Sequence, residues 1–156
     1  MKHEIVIIMA EDDEGHAALM ERNLRRSGLK NEIIKFKDGE ETLNFFLREG
    51  EGPHRASGVR YILLLDIRMP KIDGVTVLRR LKQDPELTKI PVIILTTTDD
   101  PREVEECHRL GCSNYITKPV GYDKFVEVIR QLGLFLLVVQ VPRINGEFSH
   151  GTVLER

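Results

Sequence analysis

Residues 60–74 read RYILLLDIRMPKIDG, and this stretch decides the fold. Tyr61 to Leu65 are apolar or aromatic without a break, and so short and unrelieved a run suits a strand buried on both faces of a parallel sheet. Asp66 closes the run. Pro70 offers no N–H to a ladder, and Asp73-Gly74 reads as the turn that opens a helix. Asp66 therefore stands at the carboxyl end of a strand, the edge of an open α/β sheet where ligands bind. An Asp can also sit there as a plain turn or capping residue, so the rest of the chain has to choose.

Working outward, the same pattern recurs. Upstream, Ile5 to Met9 is a second short apolar run, followed by Ala10 and the acids Glu11, Asp12 and Asp13. Glu14 to Ser27 places Ala17, Met20 and Leu24 at helical spacing, with Gly28 as its stop. Residues 31–36, NEIIKF, suit a short strand, and Glu40 to Arg48 carries the helical stripe Leu43, Phe46 and Leu47. Residues 49–58, EGEGPHRASG, have no apolar period and predict a surface loop of variable conformation. Downstream, Val77, Leu78 and Leu81 share a helical face that ends before Pro85. The run 91–95, PVIIL, ends in Thr96-Thr97-Thr98; Asp100, Pro101 and Glu103 then supply a cap, a first helical position and a capping box. Val104, Cys107 and Leu110 give that helix its buried side before Gly111. Asn114 to Thr117 form a last short strand before Lys118-Pro119, and Tyr122 to Leu132 a last helix through Phe125, Ile129 and Leu132. Strands alternating with helix-length connections predict a parallel sheet wrapped on both faces.

Composition bounds the function. A chain of 156 residues, 41% hydrophobic and 31% charged, is enough for one ordinary globular domain with a real core. Net charge is -2, and the basic residues Arg25, Arg26, Arg79, Arg80 and Lys82 are dispersed, which argues against nucleic acid as a partner. No secretory leader and no apolar stretch of ~20 residues is present, so the expected location is the cytoplasm, with no membrane span. Cys107 and Cys112 lack C-x-x-C spacing and read as small buried hydrophobes.

The strand ends carry the chemistry. Glu11, Asp12 and Asp13 follow strand one, Asp66 strand three, Thr96 strand four and Lys118 strand five. Carboxylates gathered so closely repel one another, and the remedies are raised pKa values or a bound cation. Mg2+ suits hard oxygen ligands and keeps open positions for a phosphate. Acids, a hydroxyl and a lysine together are what phosphoryl transfer to a carboxylate needs.

Glu11-Asp12, the LLLDIRMPKIDG segment, Leu95-Thr96-Thr97 and Tyr115-Ile116-Thr117-Lys118-Pro119 resemble, in order and separation, the receiver domain of two-component response regulators over residues 4–132. The resemblance implies a flavodoxin-like, doubly wound five-stranded parallel sheet of order 2-1-3-4-5 with helices on both faces. It implies that Asp66 is the phosphoacceptor, Asp12 a direct Mg2+ ligand, Glu11 an acid reaching the metal through water, and the main-chain carbonyl of Arg68 the third protein ligand. Thr96 and Lys118 would bind the phosphoryl oxygens, with Tyr115 as the aromatic switch that follows Thr96. Asp13 reads as a helix cap. His16, like His3, His54, His108 and His150, reads as solvated. Two positions depart from the family's habit: Thr97, often a small residue, and Val120-Gly121, where Phe is frequent after Lys-Pro.

A receiver accepts its phosphoryl group from the phosphohistidine of a histidine kinase, and with only residues 133–156 beyond the domain the chain is expected to signal alone, through protein contacts. It would catalyse only its own phosphotransfer and dephosphorylation. A competing class is an aspartyl-nucleophile phosphatase of the haloacid-dehalogenase type, but that group carries a second acid two residues after the nucleophile, and here the place holds Arg68. A flavodoxin-like redox carrier finds no hydroxyl-rich phosphate loop near residues 10–15. The loop 49–58 and the apolar tail also resemble small receivers paired with bacterial phytochrome kinases. In that tail, Leu132, Leu134 to Val139 and Val141 exceed what one amphipathic helix needs, which predicts burial between two copies as a homodimer, with a helix end folded back on its own domain as the alternative. Residues 143–156 are expected to contribute little.

Overall fold

The computed structural model describes residues 5–145. Expectations for residues 1–4 and 146–156, His3 and His150 among them, lie outside these residues. Five parallel strands run β1 (Ile5–Ala10), β2 (Ile33–Phe36), β3 (Val59–Leu65), β4 (Val92–Thr96) and β5 (Asn114–Thr117), in spatial order β2-β1-β3-β4-β5. Helices α1 (Glu14–Arg26), α2 (Gly39–Leu47), α3 (Gly74–Lys82), α4 (Pro101–Leu110) and α5 (Tyr122–Leu136) connect or follow them. The expected order 2-1-3-4-5 is therefore the observed one.

Alternation along the buried strands divides the core. Ile8, Leu63, Leu65 and Ile94 face one way with Leu43 of α2, Val77 and Leu78 of α3 and Cys107 of α4. Ile7, Met9, Leu64 and Leu95 face the other way with Met20 and Leu24 of α1 and Phe125 and Ile129 of α5. Period-two alternation sends successive side chains to opposite faces, so runs that look uniformly apolar in sequence serve two cores at once. Both cysteines are buried, and burial pushes the Cys107 thiol up to about 11, in keeping with an inert packing role.

Three local features differ from expectation. First, α5 runs past Leu132 to Leu136, because Gly133 lets α1 come close; a Cβ there would stand 2.5 Å from the Ser27 hydroxyl. Second, the chain then returns as a sixth strand, β6 (Arg143–Ile144), antiparallel to the start of β3. β4 pairs β3 only from Leu63 onward, leaving that edge at Val59 and Arg60 open. Ile144 is fully buried there, so residues 143–145 contribute more than expected. Third, loop 49–58 is tied down at its end: Arg55 is buried and donates to the Phe46 carbonyl, while the Ala56 N–H donates to the Tyr61 hydroxyl.

Candidate functional site

The ladder brings the acids together. The Asp66 N–H donates to the Ala10 carbonyl at 3.0 Å, and the Glu11 N–H to the Phe36 carbonyl at 3.0 Å, so both residues extend the pairing one step past the strands. Carboxylate oxygens of Glu11, Asp12 and Asp66 consequently lie within 4.8 Å of one another. Asp12 is exposed, whereas Glu11 and Asp66 are buried. The turn after Asp66 is held by the Gly74 N–H, which donates to the Ile67 carbonyl at 2.8 Å. A Cβ at Gly74 would stand 2.2 Å from the Asp66 carbonyl oxygen, so α3 can begin this close to the phosphoacceptor candidate only with glycine.

Strands β4 and β5 complete the rim. Thr96 is fully buried, and its Oγ1 has no hydrogen-bond partner. A buried hydroxyl left unmade costs free energy, and its natural remedy is an oxygen brought in by a ligand. The Lys118 N–H donates to the Thr96 carbonyl at 2.6 Å, which aligns the two strand ends. The Lys118 ammonium is also buried; it donates to Glu11 Oε1 at 2.6 Å and to Asp66 Oδ2 at 3.3 Å. Burial, reinforced by the charge of Asp66, pushes the Glu11 carboxyl up to about 7 against the opposing pull of Lys118. Three carboxylates against one ammonium leave two negative charges when all are ionised, a donor set that fits one divalent cation with hard oxygen ligands.

The remaining residues fall in place unevenly. The Arg68 N–H donates to Asp66 Oδ1 at 3.3 Å, while its guanidinium reaches out to Glu103 of α4 at 3.1 Å. Glu103 thus meets a cation rather than completing a capping box, and the Arg68 side chain offers no acid beside Asp66. Tyr115 is half-buried and donates its hydroxyl to the Thr98 carbonyl at 2.8 Å; burial pushes its pKa up to about 12. Asp13 caps α1 by accepting from the His16 N–H at 2.9 Å, as expected. Thr97 is exposed and borders the site together with Val120.

His16 itself differs from expectation. Its Nδ1 lies 3.1 Å from Lys118 Nζ, and its ring sits 5.7 Å from that of Phe125. One helical turn after the acids, α1 carries this side chain over the end of β5. The signal was its spacing of four from Asp12, which a reading of isolated histidines passes over. His54 remains exposed, its Nε2 2.8 Å from the Glu49 carbonyl.

Sheet order, acid cluster, threonine and lysine together define a receiver. Residues 7–130 match the model of the response regulator receiver domain, and the chain belongs to that family. Among its relatives, response regulator Rcp1 of Synechocystis is 31% identical over 85% of this chain and 88% of its own length. The Mn(2+)-bound form of Rcp1 superposes with a TM-score of 0.79 at 30% identity, covering 88% of this chain and 98% of that one. A receiver domain from Rhodospirillum rubrum is 47% identical with a TM-score of 0.85, covering 90% and 99%. The phosphorylated cyanobacterial phytochrome response regulator RcpA gives 0.78 at 28% identity, covering 88% and 97%.

Proposed function

We propose that the chain is a response regulator that takes a phosphoryl group onto Asp66 from the phosphohistidine of a histidine kinase, in a Mg2+-dependent reaction, and signals through phosphorylation-dependent protein contacts. What carries the reading is one constellation: a buried carboxylate with two further acids within 4.8 Å, an ammonium 3.3 Å away, and the unpartnered Thr96 hydroxyl at the neighbouring strand end.

In the transfer, an Asp66 oxygen forms a bond to phosphorus as the phosphorus–nitrogen bond to the kinase histidine breaks, and the leaving imidazole keeps the electron pair. Asp12, Asp66, Glu11 and the Arg68 main-chain carbonyl would hold Mg2+, which would supply neutralisation of charge on the phosphoryl oxygens. Lys118 takes one of those oxygens and Thr96 donates its hydroxyl to another. Tyr115, anchored in the loop that follows Thr96, carries the change to the surface of α4 and β5. Hydrolysis of the acyl phosphate returns the carboxylate, so the protein catalyses only its own phosphorylation and dephosphorylation.

The names of the cyanobacterial phytochrome response regulator RcpA and of the bacteriophytochrome response regulator RtBRR, 36% identical here, support a phytochrome-type kinase as donor. The apolar tail supports a homodimer. Phosphotransfer from a panel of phosphorylated histidine kinases, phytochromes included, tests the first claim; preferential transfer from a phytochrome kinase is expected. Intact-mass analysis tests the site: wild type gains one phosphoryl group and Asp66→Asn gains none. Full labelling of Asp66→Asn would remove Asp66 from its role.

A further inference from the structure

Lys118 has three ammonium hydrogens and almost no access to water, being 5% exposed. Two of them go to Glu11 and Asp66. The third faces the ring of His16, whose Nδ1 lies at 3.1 Å, in the first turn of α1. An ammonium can only donate, so a hydrogen bond at this contact requires Nδ1 to accept and puts the ring proton on Nε2. The imidazole is not free to turn away, since it packs against Phe125 of α5 with an interplanar angle of 32°.

We propose that His16 is a positioning residue for Lys118: it accepts the third ammonium hydrogen and so holds the cation at 3.3 Å from Asp66 instead of letting it close on that carboxylate. The role rests on the reading that Lys118 serves an acyl phosphate at Asp66. A neutral acceptor is suited to the task because it orients the ammonium without cancelling its charge. Were the acceptor missing, a buried N–H would be left unmade, and the ammonium would close from 3.3 Å onto the Asp66 carboxylate. That carboxylate is one a divalent cation needs, so the lysine and the metal would compete. When a phosphoryl group arrives at Asp66, its charged oxygens are stronger acceptors than an imidazole nitrogen. Lys118 then turns toward those oxygens, which weakens its bonds to Asp66 and to His16 alike.

Nitrogen chemical shifts of His16 test this directly in the metal-free protein, then with Mg2+ and beryllofluoride as the phosphoryl analogue. The expected free state has a proton on Nε2 and a hydrogen-bonded, bare Nδ1; Lys118→Met abolishes that bond, and beryllofluoride weakens it. Two variants separate acceptor from ring. His16→Asn keeps an oxygen near the place of Nδ1, whereas His16→Phe keeps an aromatic against Phe125 and has no acceptor. His16→Asn is expected to follow wild type, and His16→Phe to need about tenfold more Mg2+ for half-maximal phosphorylation by a small phosphodonor, the scale of one hydrogen bond to a charged group. A proton on Nδ1 in the free protein, or a His16→Phe variant with wild-type Mg2+ dependence, would overturn the proposal. If wild type takes no phosphoryl group at all, the reading of Asp66 fails separately, and the His16 tautomer still decides this one.

Discussion

Glu11 is the residue on which pH acts. Its carboxyl titrates at about 7 in the folded chain against 4.5 as the reference for the unfolded one, so between those values the folded state holds a proton that the unfolded state has lost. Stability of the metal-free protein is then greatest below 4.5 as far as this group goes, and declines as pH rises toward 7. Thermal melts without metal should show that decline in wild type and a flatter profile in Glu11→Gln; parallel profiles would contradict it. Divalent metal needs the ionised acid, so Mg2+ should stabilise wild type more above pH 7 than below. Thr96 poses the opposite trade. Its hydroxyl is buried without a partner, and Thr96→Val replaces it with a methyl of similar shape, so the unphosphorylated protein should gain about 1 kcal/mol in urea denaturation. The same variant should phosphorylate more slowly; equal stability together with an unchanged rate would deny the hydroxyl its role. These residues were legible because each ends a strand, and parallel strands deliver their ends to one rim. His16 was not, since a helix residue reaches the rim only once α1 is packed beside α5, and no single-residue pattern states that packing.

At the scale of elements, β6 shows where sequence patterns give out. A two-residue strand has no period, and Arg143-Ile144 sits between Pro142 and Asn145-Gly146, which read as turn chemistry. What forms it is an edge left open on β3. The Gly58 N–H donates to the Ile144 carbonyl at 2.7 Å, Arg60 Nε to the Val141 carbonyl at 2.8 Å, and the Ser57 hydroxyl to the Asn145 carbonyl at 2.9 Å. The Asn145 N–H in turn donates to Glu86 at 2.8 Å. The five long strands and five helices, by contrast, repeat their periods over enough residues to be read, and their ends fall within a few positions of expectation. Ile144→Ala should cost about 2 to 4 kcal/mol, as a fully buried aliphatic side chain does, measured as a lowered urea midpoint at constant slope. A change under 0.5 kcal/mol would return residues 143–145 to a passive end, since surface substitutions stay within about that range. Because β6 lies at the amino-terminal end of β3 and Asp66 at the carboxyl end, the variant should still accept phosphate.

Across the whole molecule, the chain after Leu132 is divided between two tasks. Leu136, at the end of α5, and Val141 are buried in the core shared with α1, and Val139 packs partly against it. Leu134, Phe135, Leu137 and Val138 stay 45, 43, 43 and 72% exposed, a contiguous apolar patch at the end of α5. Among the described residues no helix is long and apolar enough to cross a membrane. A second copy is the cover that needs no other component, and a two-fold axis would bring the same patch from each side. Apolar side chains of this size contribute about 1.5 to 3 kcal/mol when fully buried. With both copies contributing, their half-exposed surface offsets an association cost of roughly 4 to 15 kcal/mol well enough for a dimer at micromolar concentration. Phe135→Asp with Val138→Asp is the discriminating pair, because both are exposed, whereas a charge at Val139 would also disturb the domain's own packing. The double variant should sediment as a folded monomer, melt within a few degrees of wild type and still gain one phosphoryl group at Asp66. Wild type should sediment as a dimer at tens of micromolar; a wild-type monomer at high micromolar concentration, phosphorylated and not, would leave the patch to a different protein.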